Sequence, residues 1–198
     1  MYKQFRRRLT HVEHPLLLQI VFETHSWSTD NDIGVATGWK HGRLSKRGKD
    51  LARELGNRHR DDSLDAIFSS DLGRAVETAV IAFSNVRIPM YFDSRLRECN
   101  YGDWNGASVD TLAGKRQQFI SSPYPNGQSY EDVLRSIAAL LREVTRDWSG
   151  CRLLLIGHSA TRWALDTLIN HQRLEDLVDA PFNWRSGWEY TIPETFEC

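Results

Sequence analysis

Cysteine is scarce: the chain holds three, Cys99, Cys151 and Cys198. An odd number, at spacings that match neither a zinc pattern nor a Cys-x-x-Cys redox motif, excludes a disulfide scaffold and points to reduced, cytoplasmic thiols. Excess charge of either sign is also missing, the formal net charge being -1 over 198 residues. Without a global basic field, nonspecific nucleic-acid or membrane-surface binding is not expected, so any anion site has to be local. No window is long and apolar enough to span a bilayer. The basic start and apolar run of MYKQFRRRLTHVEHPLLLQIVF resemble a secretion signal, but the run is short and no small-residue cleavage site follows it. Repeats, low-complexity segments and linkers are absent, and the length fits one domain able to bury about two-thirds of its unfolded surface.

What the chain does contain is a recurrent form: a buried apolar run that stops at small polar residues. Leu16 to Phe22, Asp65 to Asp71 (DAIFSSD) and Cys151 to Ser159 (CRLLLIGHS) all have it. Near-continuous apolar strands imply a sheet covered on both faces. Helical patterns lie between them: Leu51 and Leu55 after a cap at Ser45, Ala75, Ala79 and Ala82 after Asp71, and Ser129 through Val133, Ile137 and Leu140 to Val144. Strands alternating with helices give an α/β fold with a mostly parallel central sheet flanked by helices. From Ala107 to Gly127 the pattern weakens around an SSPYPNG loop, which suggests a small cap over the pocket. The tail from Pro181, with Trp184, Trp188 and Tyr190, is expected to be packed.

In such sheets ligands bind outside the carboxyl ends of the strands, where the next helix also offers free N–H groups. His25, Ser69-Ser70-Asp71 and Gly157-His158-Ser159 all fall there, with Arg74 in the first turns of a helix. Histidines joined by an arginine suit phosphoryl transfer. A neutral imidazole can attack phosphorus, cationic donors neutralise the equatorial oxygens, and a carboxylic acid protonates the departing oxygen.

The same residues carry a resemblance from Leu16 to about Asn170. The stretches THSWSTDN, ATGW, LSKRG, SSDLGRAVETA, LRECNYGDWNG, PNGQS and LLLIGHS follow, in order, the motifs of the histidine phosphatase superfamily, the phosphoglycerate mutase-like proteins. The resemblance implies a phosphoglycerate mutase-like fold and a phosphatase acting on a small phosphorylated substrate, with no metal and no cofactor. It implies His25 as nucleophile, Arg74 and His158 as electrostatic stabilisers and Glu98 as acid and base. Thr24, Ser26, Asn31, Thr37, Gly38, Ser159 and Arg162 become candidates for substrate binding. Trp39 and Trp104 fall within these motifs near the mouth, and Trp27 is a further candidate contact.

Two departures stand out. Thr24 and Ser26 flank His25 where the family has arginine and glycine, and Gln128 replaces the acid of a Pro-x-Gly-Glu-Ser helix start. A threonine hydroxyl offers one neutral bond where an arginine fork offers two charged ones. Either another arginine (Arg162, Arg95 or Arg97) moves into the vacancy, or the pocket is retuned. A retained hydrolase is favoured because His25, Arg74, Glu98 and His158 all remain; the alternative is a member that binds a phosphorylated ligand or a protein partner with little turnover.

Other motifs weigh less. Gly157-His158-Ser159-Ala160-Thr161 resembles the nucleophile elbow of α/β-hydrolases, but the last glycine is missing and the only histidine downstream is the nearby His171. Ser159 reads instead as a helix cap. DNDIG lacks the glutamate of a calcium loop, with His41 in its place. His11 and His14 stand at helical spacing in the N-terminal tail, and no Walker glycine loop is present.

Overall fold

The apolar runs do become neighbouring strands. In the computed structural model, which describes residues 17–181 and 185–193, β1 (Leu18–Thr24), β2 (Ala66–Ser69), β3 (Met90–Phe92), β4 (Arg152–Gly157) and β5 (Trp188–Ile192) form one sheet. Their order is β3-β2-β4-β1-β5, parallel except for β5, which runs antiparallel to β1. His11, His14, Leu16, Trp184 and Cys198 lie outside the described residues.

Alternation along the strands sends side chains to two cores. Leu18, Ile20, Phe22, Phe68, Leu153 and Leu155 pack toward α5 (Tyr130–Asp147) and α6 (Ser159–Asn170). Val21, Ile67, Leu154 and Ile156 face the other way, toward α2 (Lys46–Arg58) and α3 (Gly73–Phe83). Burying a side chain of this kind contributes about 1.5–3 kcal/mol, so the two-sided core dominates stability. Ser45 caps α2 by accepting from Gly48 N–H, and Ser129 caps α5 in a reciprocal box with Asp132. Gly48 is where α2 meets the chain after β1: a Cβ there would stand 1.8 Å from the Trp27 carbonyl oxygen.

Two details differ from the expectation, and a third adds to it. β1 continues through Glu23 and Thr24, which stay in register with Ile156 and Gly157. Glu23 is buried because Arg58 and His59, at the end of α2, neutralise it at 3.0 and 2.9 Å. The Trp188 and Tyr190 segment is a fifth, edge strand, and its alternating buried and exposed residues fit a strand with one covered face. Ser159 is not the cap of α6 but its first residue; His158 holds the cap position, its N–H donating to Thr161 Oγ1 at 3.2 Å. The stretch expected as a cap contains α4 (Val109–Ala113) and a 3-10 turn at Arg116–Phe119. The remaining short helices are α1 (Thr29–Asp32) and α7 (Leu174–Val178).

Candidate active site

Three parallel strands end together. The N–H of His25, one residue past β1, donates to the Gly157 carbonyl at 2.9 Å, and that of Ser70, one past β2, donates to the Ile156 carbonyl at 2.8 Å. His25, Ser70 and His158 are therefore placed by the ladder itself. The two imidazole rings lie 5.0 Å apart between centroids.

Arg74, in the first turn of α3, runs between them and is 2% exposed. Its Nε donates to Nε2 of His25 at 3.2 Å, its Nη2 to Nδ1 of His158 at 3.2 Å and to the Gly38 carbonyl at 3.0 Å, and its Nη1 to the Lys40 carbonyl at 3.2 Å. A guanidinium only donates, so both nitrogens facing it carry lone pairs. Nδ1 of His25 lies 2.7 Å from the Ser26 carbonyl oxygen, which can only accept, so the proton of His25 sits there. Nε2, the atom a nucleophile would use, is left with its lone pair on Arg74.

The electrostatics follow. Burial first, then Arg74, pushes the His25 pKa down to about 3, against the pull of its bond to Ser26. His158 is held well below its ordinary value by burial, Arg74 and His25. Glu98 shifts upward because burial outweighs the Cys99 and Ala160 N–H groups and the charges of Arg74 and Arg116. Cys99 N–H donates to Oε1 of Glu98 at 2.8 Å. A carboxyl whose pKa is raised by burial, within the field of the arginine that two neutral imidazoles share, has the chemistry of a proton donor.

The other predicted residues divide. Gly38 joins the centre through its carbonyl; its φ is +55°, and a Cβ would stand 1.8 Å from Oδ1 of Asn105. Thr24 sits at the end of β1 opposite Gly157. The Ser26 hydroxyl turns away and donates to the Gly48 carbonyl at 2.6 Å, while its N–H binds Thr78 Oγ1. Asn31 is engaged in a capping box with Ser28, and Thr37 donates to Asp30 at 2.7 Å. Arg162 donates to Asp166 at 3.0 Å and lies over the Trp188 ring.

The two other arginines considered for the Thr24 vacancy are likewise engaged. Arg95 binds Asp93 and Glu143. Arg97 binds both oxygens of Asp71 at 2.6 Å and covers Trp39, whose indole N–H donates to the Glu98 carbonyl. Trp27 donates to Asp32 and is 38% exposed, while Trp104 packs on Phe119 and Tyr124.

Sequence reasoning missed Lys40 and Arg116, and it did not foresee the contacts that Gly38 and Ser70 make. The carbonyls of Gly38 and Lys40 are backbone and leave no side-chain signal. Arg116, from the cap segment, acts on Glu98 through its charge; its isolation in a weakly patterned stretch hid it. Ser70, 2.9 Å from Nε2 of His158, was visible as part of SSDLGRAVETA but not as a partner of a histidine. Among the described residues no group of three or more His, Cys, Asp or Glu gathers as a metal cluster.

Known proteins share this arrangement of chain. A probable phosphoglycerate mutase, GpmB, of Salmonella choleraesuis (strain SC-B67) is 30% identical over 153 residues, covering 72% of this chain and 70% of its own. The solved structure of YhfR from Bacillus stearothermophilus matches with a TM-score of 0.78 at 25% identity, over 87% of this chain and 90% of that one. A mycobacterial glucosyl-3-phosphoglycerate phosphatase shares the fold, with a TM-score of 0.70 at 21% identity, over 82% and 84% of the two chains. The family model of the histidine phosphatase superfamily (branch 1) matches residues 21–183, and this chain belongs to that superfamily.

Proposed function

We propose that the protein is a phosphoric monoester hydrolase that works through a phosphohistidine at Nε2 of His25. One observation carries the reading: two neutral histidines share a single buried arginine at the carboxyl ends of three parallel strands. Membership of a superfamily with phosphatase and mutase members supports hydrolase-type chemistry.

In the proposed cycle an incoming phosphomonoester draws Arg74 off its carbonyl and imidazole partners. The freed Nε2 lone pair of His25 attacks phosphorus and the ester P–O bond breaks. Arg74 and His158 meet the equatorial oxygens as charge spreads over them. Glu98, protonated when its pKa is raised, gives its proton to the leaving oxygen and then takes one from the water that opens the P–N bond. Every proton in the cycle is handled by a side chain, so no metal is needed. The substrate is a small phosphorylated molecule and not a nucleic acid. The two described cysteines are free thiols, which fits the cytoplasm.

A second reading has its own support. Arg74 is engaged by four protein acceptors and Thr24 replaces an arginine, which suits a pocket that binds a phosphorylated ligand with little turnover. Phosphate release from sugar phosphates, nucleotides, phosphoglycerates and an aryl phosphate separates the two. Release by the wild type that His25→Ala abolishes establishes the hydrolase. Binding without release on the whole panel refutes it.

A further inference from the structure

The bonds around His158 fix where its proton sits. Nδ1 accepts from Arg74, so the single proton of the neutral ring is on Nε2, 2.9 Å from Oγ of Ser70. Ser70 is fully buried and rigidly held. Its N–H is tied to the Ile156 carbonyl at 2.8 Å, its carbonyl accepts from the Ser69 hydroxyl at 3.0 Å, and Oγ also accepts from Leu72 N–H at 3.3 Å. His25 has the opposite tautomer, with its proton on Nδ1.

We propose that Ser70 is a positioning residue: it holds His158 as the Nε2–H tautomer and so reserves Nδ1 as the atom that takes up a proton when a phosphoryl dianion enters. The inference rests on the reading of this pocket as a phosphoryl-transfer site. The dianion draws Nη2 of Arg74 away from Nδ1, and one proton from solvent adds to the exposed lone pair. The resulting imidazolium donates from Nδ1 to a phosphoryl oxygen while Nε2–H stays on Ser70. No bond between heavy atoms forms or breaks, and the proton returns to solvent on release.

Without the dianion this uptake is opposed by burial and by the groups that face the ring, Arg74 from α3 and His25 from the end of β1. Glu98 bears on the same centre through Arg74, whose charge it favours. A dianion reverses that balance because its charge outweighs the repulsion by Arg74. The reversed tautomer would set an N–H against a guanidinium N–H, so the position reserved for the ligand would be lost.

The test uses inorganic phosphate as probe at about pH 8, where it is mostly dianionic. Nitrogen-15 spectra of histidine-labelled protein, with His158 assigned by its loss in His158→Gln, should show a protonated Nε2 and a bare Nδ1 in the free wild type. Calorimetry in two buffers of different ionisation enthalpy should then show uptake of close to one proton on binding. Ser70→Ala should mix the tautomers, weaken phosphate about ten-fold and move the alkaline limb of kcat/KM to lower pH. Ser70→Thr, which keeps the hydroxyl, should restore all three.

A wild-type His158 protonated on Nδ1, the lack of phosphate-linked proton uptake, or a Ser70→Ala profile equal to the wild type overturns the proposal. The wild-type spectrum needs no variant, so an unstable Ser70→Ala leaves the test intact. Phosphate release that survives in His25→Ala would instead defeat the phosphohistidine reading, a different outcome from failure of the tautomer.

Discussion

His25 is a base that the fold keeps neutral, and this makes acid stability a direct measure of the centre. Its pKa falls from 6.5 to about 3, first by burial and then by Arg74. Below about pH 6.5 the unfolded chain takes a proton that the folded chain refuses, so the stability tied to His25 is complete above that pH and is lost as pH falls toward 3. At about 1.4 kcal/mol per pH unit, the loss by pH 5 is about 2 kcal/mol. His158 acts in the same direction, being lowered too. His59 acts in the opposite one: its pKa is raised because its bonds to Glu23 and Asp62 outweigh its burial, so its contribution is present below 6.5 and fades as pH rises. Comparing His25→Asn with the wild type isolates one group, since asparagine keeps a donor for the Ser26 carbonyl. Urea unfolding at about pH 7.5 and about pH 5 should show the wild type losing about 2 kcal/mol more than the variant. Equal losses would mean that the folded protein protonates His25 freely, and the argument for a buried neutral nucleophile would fail.

Three further outcomes are expected. Glu98→Gln should slow alkyl phosphates, with their poor leaving groups, on the order of 10²-fold or more while sparing an activated aryl phosphate; equal losses on both sink the acid role. Thr24→Arg should leave the urea midpoint unchanged, raise kcat/KM on generic phosphomonoesters about ten-fold and extend activity to higher pH. Kinetics indifferent to the change would count against Thr24 bordering the pocket. Glu23→Gln should cost roughly 2 kcal/mol between about pH 5 and 6.5, where His59 is charged in the wild type, and less at about pH 8; a cost independent of pH would exclude His59 as the titrating partner.

The sheet was legible because β1, β2 and β4 are buried on both faces and so read as unbroken apolar runs. β5 was not, because an edge strand needs only one covered face and its Trp188, Tyr190 and Ile192 alternate with polar residues inside an aromatic tail. The end of β1 was misplaced for a different reason. A glutamate at the end of an apolar run signals solvent, and only Arg58 and His59, more than thirty positions away, make Glu23 a buried strand residue. In the site, motifs singled out side chains but not their directions. His25, Arg74, Glu98 and His158 converge, whereas Ser26 and Asn31, one and six residues from His25, spend their polar atoms on α2 and α1. Two of the four partners that hold Arg74 are backbone carbonyls, which the sequence cannot mark.

Thr24 can be understood through charge balance. A bound phosphomonoester brings up to two negative charges into a pocket whose central cation is Arg74, and the arginines considered for the vacancy are held by carboxylates on Asp93, Asp71 and Asp166. Burial shifts the Glu98 pKa upward and disfavours a further negative charge there, while Arg116 pulls the other way. A second positive charge at the phosphoryl group then has to come from a proton, and Nδ1 of His158 is the lone pair that Arg74 exposes when it turns to the ligand. An arginine at position 24 would carry its charge at any pH, whereas His158 carries one only where protons are available and only while the dianion is present. On the proposed reading, threonine rather than arginine beside His25 leaves phosphoryl transfer possible but ties the strength of the pocket to pH and to the tautomer that Ser70 holds.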